Sequence, residues 1–230
     1  GIVCGMRGER GAICKTEFSL STGNILLHVI GEINEIPRGI CGSGLLDICA
    51  HLLKIGCLDT TGYLLSRQDA QERGVSDVWC SLLEEKDGEN AFILYRGTGD
   101  QKDIWIQQSD IRQLQLAKGA IRAAIECLFS EVGYSLSELE NIHLAGVFGG
   151  AIRVESAQKI GLLPMQSSEK TRIKSVGNAA GNGAMKALYS EEYLLRAECA
   201  VKQVHCIELA NLSNFQNTFL KAMAFQSWNC

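Results

Sequence analysis

The chain has 230 residues, 46% of them hydrophobic, and a formal net charge of -4. This length and apolar content are sufficient for a globular fold with its own core. Charged residues of both signs make up 21% of the chain, so it lacks the basic field that would bind nucleic acid or an acidic membrane surface. No apolar run approaches the roughly 18 residues of a membrane span. We therefore expect a protein that binds neither nucleic acid nor membrane.

The ten cysteines are scattered along the chain without a CxxC pair, and the four histidines lack metal-ligand spacing. Neither pattern favours a zinc or iron-sulfur site within these residues. Scattered free thiols indicate a reducing, cytoplasmic compartment and are compatible with an anaerobe. The first residues, GIVCGMRGERG, have no signal-peptide character. Because the chain starts at Gly1 and not at Met, we expect a piece of a longer protein or a processed product.

The first half of the chain alternates strand and helix patterns. Residues 10–33 predict two strands around the turn STGN, and residues 37–59 predict a helix with Ser43 as N-cap and Gly56 just past its end. Mixed polar residues from Asp59 to Gly88 predict surface loop and short irregular pieces. Two further strands, NAFILYRG and KDIWIQ, precede the longest predicted helix, which begins with Ser109 or Asp110 as its cap.

The second half predicts a βα alternation. Strands are expected at NIHLAG, TRIKSVG and VHCIEL, and helices at VESAQKIG, NAAGNGAMKALYS, EEYLLRAECAVK and SNFQNTFLKAMAF. Such alternation predicts a largely parallel sheet covered by helices, and the apolar strand NIHLAG is typical of a strand buried on both faces. No linker or repeat marks a domain boundary.

Two glycine-rich turns follow predicted strands, in HLAGVFGG and in GNAAGNG. Glycine can adopt positive φ and lacks Cβ, so a flat adenine or a ribose can lie directly on such a backbone. Two turns at neighbouring strand ends would form the two walls of one ligand slot. The alternative is that these glycines serve only tight turns and helix packing. The first turn places Gly146, Gly149 and Gly150, and the second places Gly177, Asn178 and Gly181.

A third glycine-bracketed segment, GICGSGLLD, begins the helix predicted for residues 37–59. Free N–H groups at Gly42, Ser43 and Gly44 and the positive end of the helix dipole would form a phosphate seat, although simple capping is an alternative. Asp47, one turn further, could coordinate Mg²⁺ through water or activate a hydrolytic water. An acidic residue in a first turn is also what the helix dipole favours.

Five segments in this order carry a family resemblance: GICGSGLLD, SDIRQLQLAKGAIRAAI, HLAGVFGG, IGLLP and GNAAGNGA. Together they resemble the C-terminal part of the reductive activators of corrinoid enzymes. Those proteins belong to the superfamily of acetate kinase, sugar kinases, heat-shock protein 70 and actin. The resemblance runs over nearly the whole chain.

The resemblance implies an α/β fold: a ribonuclease-H-like lobe of the actin-like ATPase superfamily, with a mixed sheet flanked by helices. It implies a single, partial domain over residues 1–230, ATP or ADP with Mg²⁺ as ligands, and a [2Fe–2S] cluster only in an upstream domain. It further implies electron transfer to Co(II) on the corrinoid protein of a methyltransferase system, and a possible homodimer. The nucleotide residues that the resemblance carries over are Gly146, Val147, Phe148 and Gly149, with Gly177, Asn178 and Gly181 in the companion wall.

The chain also departs from this family. The two Asp-Gly-Thr phosphate loops and the ferredoxin-like cysteine cluster are absent, and Val147 stands where family members commonly have glycine. These departures leave two alternatives open. One is a small-molecule kinase of the same superfamily, for which only Asp47 is a candidate base. The other is a non-catalytic nucleotide-binding or dimerisation module.

Overall fold

The computed structural model describes residues 1–165 and 172–228. Its strands are Ala12–Phe18 (β1), Ile25–Val29 (β2), Gly39–Ile40 (β3), Leu83–Lys86 (β4), Glu89–Tyr95 (β5), Ile104–Gln107 (β6), Asn141–Ala145 (β7) and Arg172–Gly177 (β8). Its α-helices are Gly42–Ile55 (α1), Arg67–Glu72 (α2), Asp77–Cys80 (α3), Gln108–Val132 (α4), Gly146–Ala151 (α5), Val154–Lys159 (α6), Ala179–Tyr189 (α7), Glu191–Val201 (α8) and Phe215–Ala222 (α9).

The described strands form three sheets, in the orders β2-β1-β3, β4-β5-β6 and β7-β8. Antiparallel pairing joins β1 to β2 and both pairs of the second sheet, whereas β7 pairs with β8 in parallel. A second parallel pairing joins two residues of β1 to β3. One mixed sheet, one antiparallel sheet and one parallel pair, flanked by helices, form an α/β fold as predicted. The parallel pairing predicted for the second half is present in β7 and β8, whereas the antiparallel pairs are hairpins of the first half.

Helix α1 keeps its predicted end but not its predicted cap. Gly56 closes the helix with φ 81°, and its N–H donates to the Leu52 carbonyl. Cys41, in extended conformation, is the N-cap, and Ser43 lies inside the first turn with its Oγ 3.4 Å from the Cys41 Sγ. The predicted Ser43 cap is therefore wrong, because the helix begins two residues earlier than a Ser43 cap would require.

Helix α4 also begins earlier than predicted, and its N-cap is a different residue from those predicted. Gln107 is its N-cap, and Asp110 occupies the third helical position, where its carboxylate accepts the Gln107 backbone N–H at 3.1 Å. The carboxylate in this position also suits the positive end of the helix dipole. Neither Ser109 nor Asp110 is the cap.

Two other predictions from the sequence fail locally. The polar stretch from Asp59 to Gly88 contains α2, α3 and β4, and α2 starts with a capping box between Ser66 and Asp69. Trp79 of α3 is buried in the core. The strand predicted at VHCIEL is absent from the described structure, where a 3₁₀ turn at Leu209–Asn211 follows irregular backbone.

The core lies between α1, the first two sheets and α4. Ile13, Ile48, Leu52 and Phe92 are completely buried there. By contrast, residues of β7 alternate between exposed and half-buried, so the prediction that this strand is buried on both faces is wrong. No residue of α7 or α8 is buried. Among the described helices, none is long and apolar enough to cross a membrane.

A C-terminal segment, residues 223–228, lies across α4 and is held through its backbone. Three polar side chains of α4, which together span two turns of the helix, donate to carbonyls of this segment. Their hydrogen bonds run from Gln115 to Met223, from Lys118 to Ala224 and from Arg122 to Gln226. Further bonds join the Phe225 N–H to the Thr60 carbonyl and the Trp228 Nε1 to the Gly161 carbonyl. Long-range contacts therefore fix this segment.

Candidate nucleotide site

The two glycine turns lie at the same edge of the β7-β8 sheet. These strands are parallel, and their register pairs Ala145 with Gly177, so both turns leave the carboxyl ends of neighbouring strands. Adjacent strands are about 4.8 Å apart. The first turn continues directly into α5 and the second into α7. The predicted neighbourhood of the two turns is thus present in the fold.

Both turns contain a glycine in left-handed conformation, Gly146 with φ 85° and Gly177 with φ 60°. A Cβ built on either residue would meet no described atom within 4 Å. Backbone conformation, and not crowding, therefore makes glycine the favourable residue at these two positions. The open space beside each bare backbone is suited to the face of a purine or ribose.

The other glycines of these turns serve the packing of the turns themselves. A Cβ on Gly149 would lie 3.1 Å from the Leu144 carbonyl carbon, and one on Gly181 would lie 2.5 Å from the Asn178 Nδ2. The Asn178 Oδ1 accepts the Gly181 N–H at 3.0 Å and so caps α7. For these residues the structure shows the packing and capping roles that the sequence left as an alternative. Their contact with a nucleotide stays a prediction, as does that of Val147 and Phe148 in α5.

The start of α1 is pressed against β1. A Cβ on Gly44 would lie 2.2 Å from the Ile13 carbonyl oxygen, so only glycine permits this approach of helix to strand. Ser43 and Gly44 are buried, whereas Gly42 is exposed. The phosphate seat proposed for Gly42, Ser43 and Gly44 thus remains a prediction, and Gly44 has a structural role independent of any ligand.

Asp47 is buried, with a relative exposure of 2%, and its carboxylate holds three elements together. Its Oδ2 accepts the Thr16 backbone N–H at 2.7 Å and the Thr16 hydroxyl at 3.3 Å. Its Oδ1 accepts the Ser156 hydroxyl, and the Arg153 Nε lies 3.5 Å from the same oxygen. This network links α1 to β1 and to the start of α6.

The contacts of Asp47 bear on the Mg²⁺ expected from the resemblance. Both carboxylate oxygens already accept hydrogen bonds from protein groups, so direct ligation of Mg²⁺ by Asp47 does not fit. Within residues 1–165 and 172–228, no group of three or more His, Cys, Asp or Glu side chains is arranged to hold a metal ion. Whether Asp47 activates a water is a prediction that these contacts leave open.

A small cavity of about 200 Å³ joins the start of α1 to the segment after α5. Ser43, Asp47, Cys14 and Arg153 are among its lining residues. Burial raises the pKa of the Cys14 thiol, with smaller contributions from Cys41 and Asp47. Two predicted site residues, Ser43 and Asp47, therefore share one cavity, and Arg153 joins them. The sequence offered no signal for Thr16, Arg153 or Ser156.

A family model described as the C-terminal domain of RACo, the ASKHA domain, matches residues 1–230. The chain belongs to this family. The match spans the glycine turns, the start of α1 and the Asp47 network alike. It confirms the resemblance derived from the five ordered segments.

Two relatives extend this finding. The corrinoid activation enzyme RamQ of Eubacterium limosum is 36% identical over 227 residues, which are 98% of this chain and 37% of that protein. A solved structure, a reductive activator for corrinoid, iron-sulfur protein, is 31% identical with a TM-score of 0.81, and the match covers 97% of this chain and 34% of that one. The chain thus spans about a third of the length of these relatives.

Proposed function

We propose that this chain is the ATP-binding portion of a reductive activator that couples ATP hydrolysis to the reduction of Co(II) corrinoid to Co(I). Its partner would be the corrinoid protein of a methyltransferase system. The observation that carries the nucleotide part is the pair of bare left-handed glycines, Gly146 and Gly177, at one sheet edge. The similarity to a corrinoid activation enzyme and to a reductive activator for corrinoid, iron-sulfur protein supports the corrinoid part.

The residues of the chain have distinct parts in this proposal. Gly146 and Gly177 offer the nucleotide a backbone surface free of side chains, and Asn178 fixes the first turn of α7 beside it. The amino end of α1, with Ser43 in the small cavity, presents the positive end of a helix dipole for phosphate. Asp47 holds α1 against β1 and α6, and so fixes the direction of that dipole.

ATP would supply the free energy that makes an unfavourable electron transfer possible. The protein must therefore adopt two conformations, and ATP and ADP must differ in which conformation they bind more tightly. A ligand that binds both conformations equally well shifts no equilibrium. The cluster that donates the electron would lie outside these 230 residues, as expected from the resemblance.

The test of coupling uses the protein at its full natural length, with a strong reductant and the Co(II) corrinoid protein. Formation of Co(I), followed by visible absorption, should require ATP and stop with a non-hydrolysable analogue. Reduction at equal rates with and without ATP would refute the coupling. Binding of ADP without ATP-dependent reduction would favour the non-catalytic module, and phosphorylation of a sugar or carboxylate would favour the kinase.

The nucleotide site is tested separately with a matched pair of glycine variants. Gly177 and Gly99 have nearly the same φ, 60° and 62°, and neither has a described atom within 4 Å of a built Cβ. Alanine should strain both positions by a similar amount, about 1 kcal/mol. Only Gly177→Ala should also weaken ADP binding, by about tenfold, as measured by calorimetry. Equal ADP affinity in the two variants would exclude this turn from the site.

The remaining expectations are further parts of the proposal. Assembly as a homodimer is tested by light scattering on the full-length protein, with a monomeric mass at micromolar concentration as the opposing result. The cytoplasmic location is tested by cell fractionation. Neither is needed for the nucleotide site itself.

A further inference from the structure

A second, larger cavity of about 400 Å³ lies between the C-terminal half of α1 and α6. Six of its lining residues have polar or charged side chains: His51, Lys54, Arg153, Glu155, Ser156 and Lys159. Three of these carry a permanent positive charge and one a negative charge, although the whole chain has a net charge of -4. The cavity is therefore a local cationic site in an acidic protein.

The two lysines of this cavity have no carboxylate partner. Neither Lys54 nor Lys159 forms an ion pair with any residue in the described ranges. Each lies in the last turn of its helix, where a cation suits the helix dipole. That role accounts for each lysine alone, but not for their convergence with Arg153 on one cavity.

Arg153 lines both the large and the small cavity. Its ion pairs are long, with the Nε 3.5 Å from the Asp47 Oδ1 and an Nη 3.8 Å from the Glu17 Oε1. Asp47 retains its hydrogen bonds from Thr16 and Ser156 if the guanidinium turns away. Arg153 can therefore exchange these partners for a closer anion without leaving a buried carboxylate unsatisfied.

We propose that the cavity between α1 and α6 binds the phosphate group of a small anionic ligand through Lys54, Lys159 and Arg153. Bidentate donation by the guanidinium and two converging ammonium groups are suited to phosphate oxygens. Arg153 also lines the cavity that contains Ser43 and Asp47, so the two cavities share this side chain. This site does not depend on the proposed function.

The test measures binding of inorganic phosphate and of glycerol 3-phosphate to the full-length protein by calorimetry. The variant is Lys54→Gln with Lys159→Gln. The control is Lys221→Gln, because Lys221 is an exposed lysine that also lies in the last turn of its helix, α9, and does not line this cavity. Equal thermal unfolding midpoints in all proteins show that the substitutions leave the fold intact.

The wild type and the control should bind phosphate equally, and the double variant about tenfold more weakly, with affinity falling as salt rises. Tighter binding of glycerol 3-phosphate than of phosphate supports the site and identifies an organic phosphate as its ligand, and the reverse identifies the free ion. The proposal would be overturned if the double variant bound phosphate as tightly as the wild type does. It would also be overturned if an acidic peptide bound the wild type more tightly than either phosphate does.

Discussion

Replacing Asp47 separates a structural role from a chemical one. In Asp47→Ala the Thr16 N–H, in a residue with 0% exposure, loses its acceptor, and the Thr16 and Ser156 hydroxyls lose theirs. Asparagine instead preserves the shape. Its Oδ1 can accept from Thr16, while its Nδ2 can donate to the Ser156 hydroxyl oxygen.

The magnitudes follow from these contacts. A buried donor without a partner costs about 1–3 kcal/mol, and removing one member of a buried charged network costs about 3–5 kcal/mol. Because the Thr16 N–H and the Thr16 and Ser156 hydroxyls lose their acceptor together in Asp47→Ala, we expect a loss of about 3 kcal/mol in the free energy of unfolding. Asp47→Asn replaces charge-assisted hydrogen bonds by neutral ones, and we expect it to lower the free energy of unfolding by about 1 kcal/mol.

The assay is urea unfolding followed by tryptophan fluorescence. If Asp47→Ala lowers the free energy of unfolding by less than about 1 kcal/mol, the structural role of Asp47 is refuted. The folded Asp47→Asn protein then reports on chemistry. If Asp47 is a general base, this variant should lose at least about 100-fold in ATP turnover, and turnover close to the wild type would exclude that role.

Two further predictions concern packing and pH. Gly44→Ala should lower the free energy of unfolding in urea by about 3 kcal/mol, because the new Cβ would overlap the Ile13 carbonyl oxygen. The control Gly183→Ala, with no atom within 4 Å of the new Cβ, should be neutral or stabilising, and equal effects of the two substitutions would contradict this account of α1. Burial lowers the pKa of Lys118 to about 7 from its ordinary value of 10.5, so between these pH values the unfolded chain holds a proton that the folded chain lacks. As pH increases from 7 to 8.5, the free energy of unfolding of the wild type should therefore rise relative to that of Lys118→Met, by up to about 1.4 kcal/mol per pH unit. A parallel pH dependence in both proteins would contradict the lowered pKa of Lys118.

Local patterns allowed much of the fold to be predicted. The hairpin of β1 and β2, the Gly56 end of α1 and the long α4 each depend on neighbours in sequence, through turn residues or apolar periodicity. Helix α2 escaped prediction because six residues are too few for a period, although Ser66 and Asp69 carry the capping-box signal. The strand predicted at VHCIEL failed because alternation alone provides no partner strand.

The candidate site divides in the same way. Glycine turns after strands could be recognised because positive φ restricts the residue type, and Gly146 and Gly177 have the expected conformation. The Asp47 network could not be recognised, since its partners Thr16 and Ser156 lie 31 and 109 residues away and have no spacing to detect. The close approach at Gly44 likewise depends on tertiary packing.

The way in which α4 holds residues 223–228 has a consequence for biosynthesis. Gln115 and Met223 are 108 residues apart, so the carbonyls that accept from Gln115, Lys118 and Arg122 are synthesised well after the helix itself. While the ribosome still encloses that stretch, these three side chains of α4 lack their carbonyl acceptors, and the helix surface that residues 223–228 cover is left open. Complete folding of this domain must then await release of those residues from the exit tunnel, and a nascent chain stalled before them should be readily digested by protease.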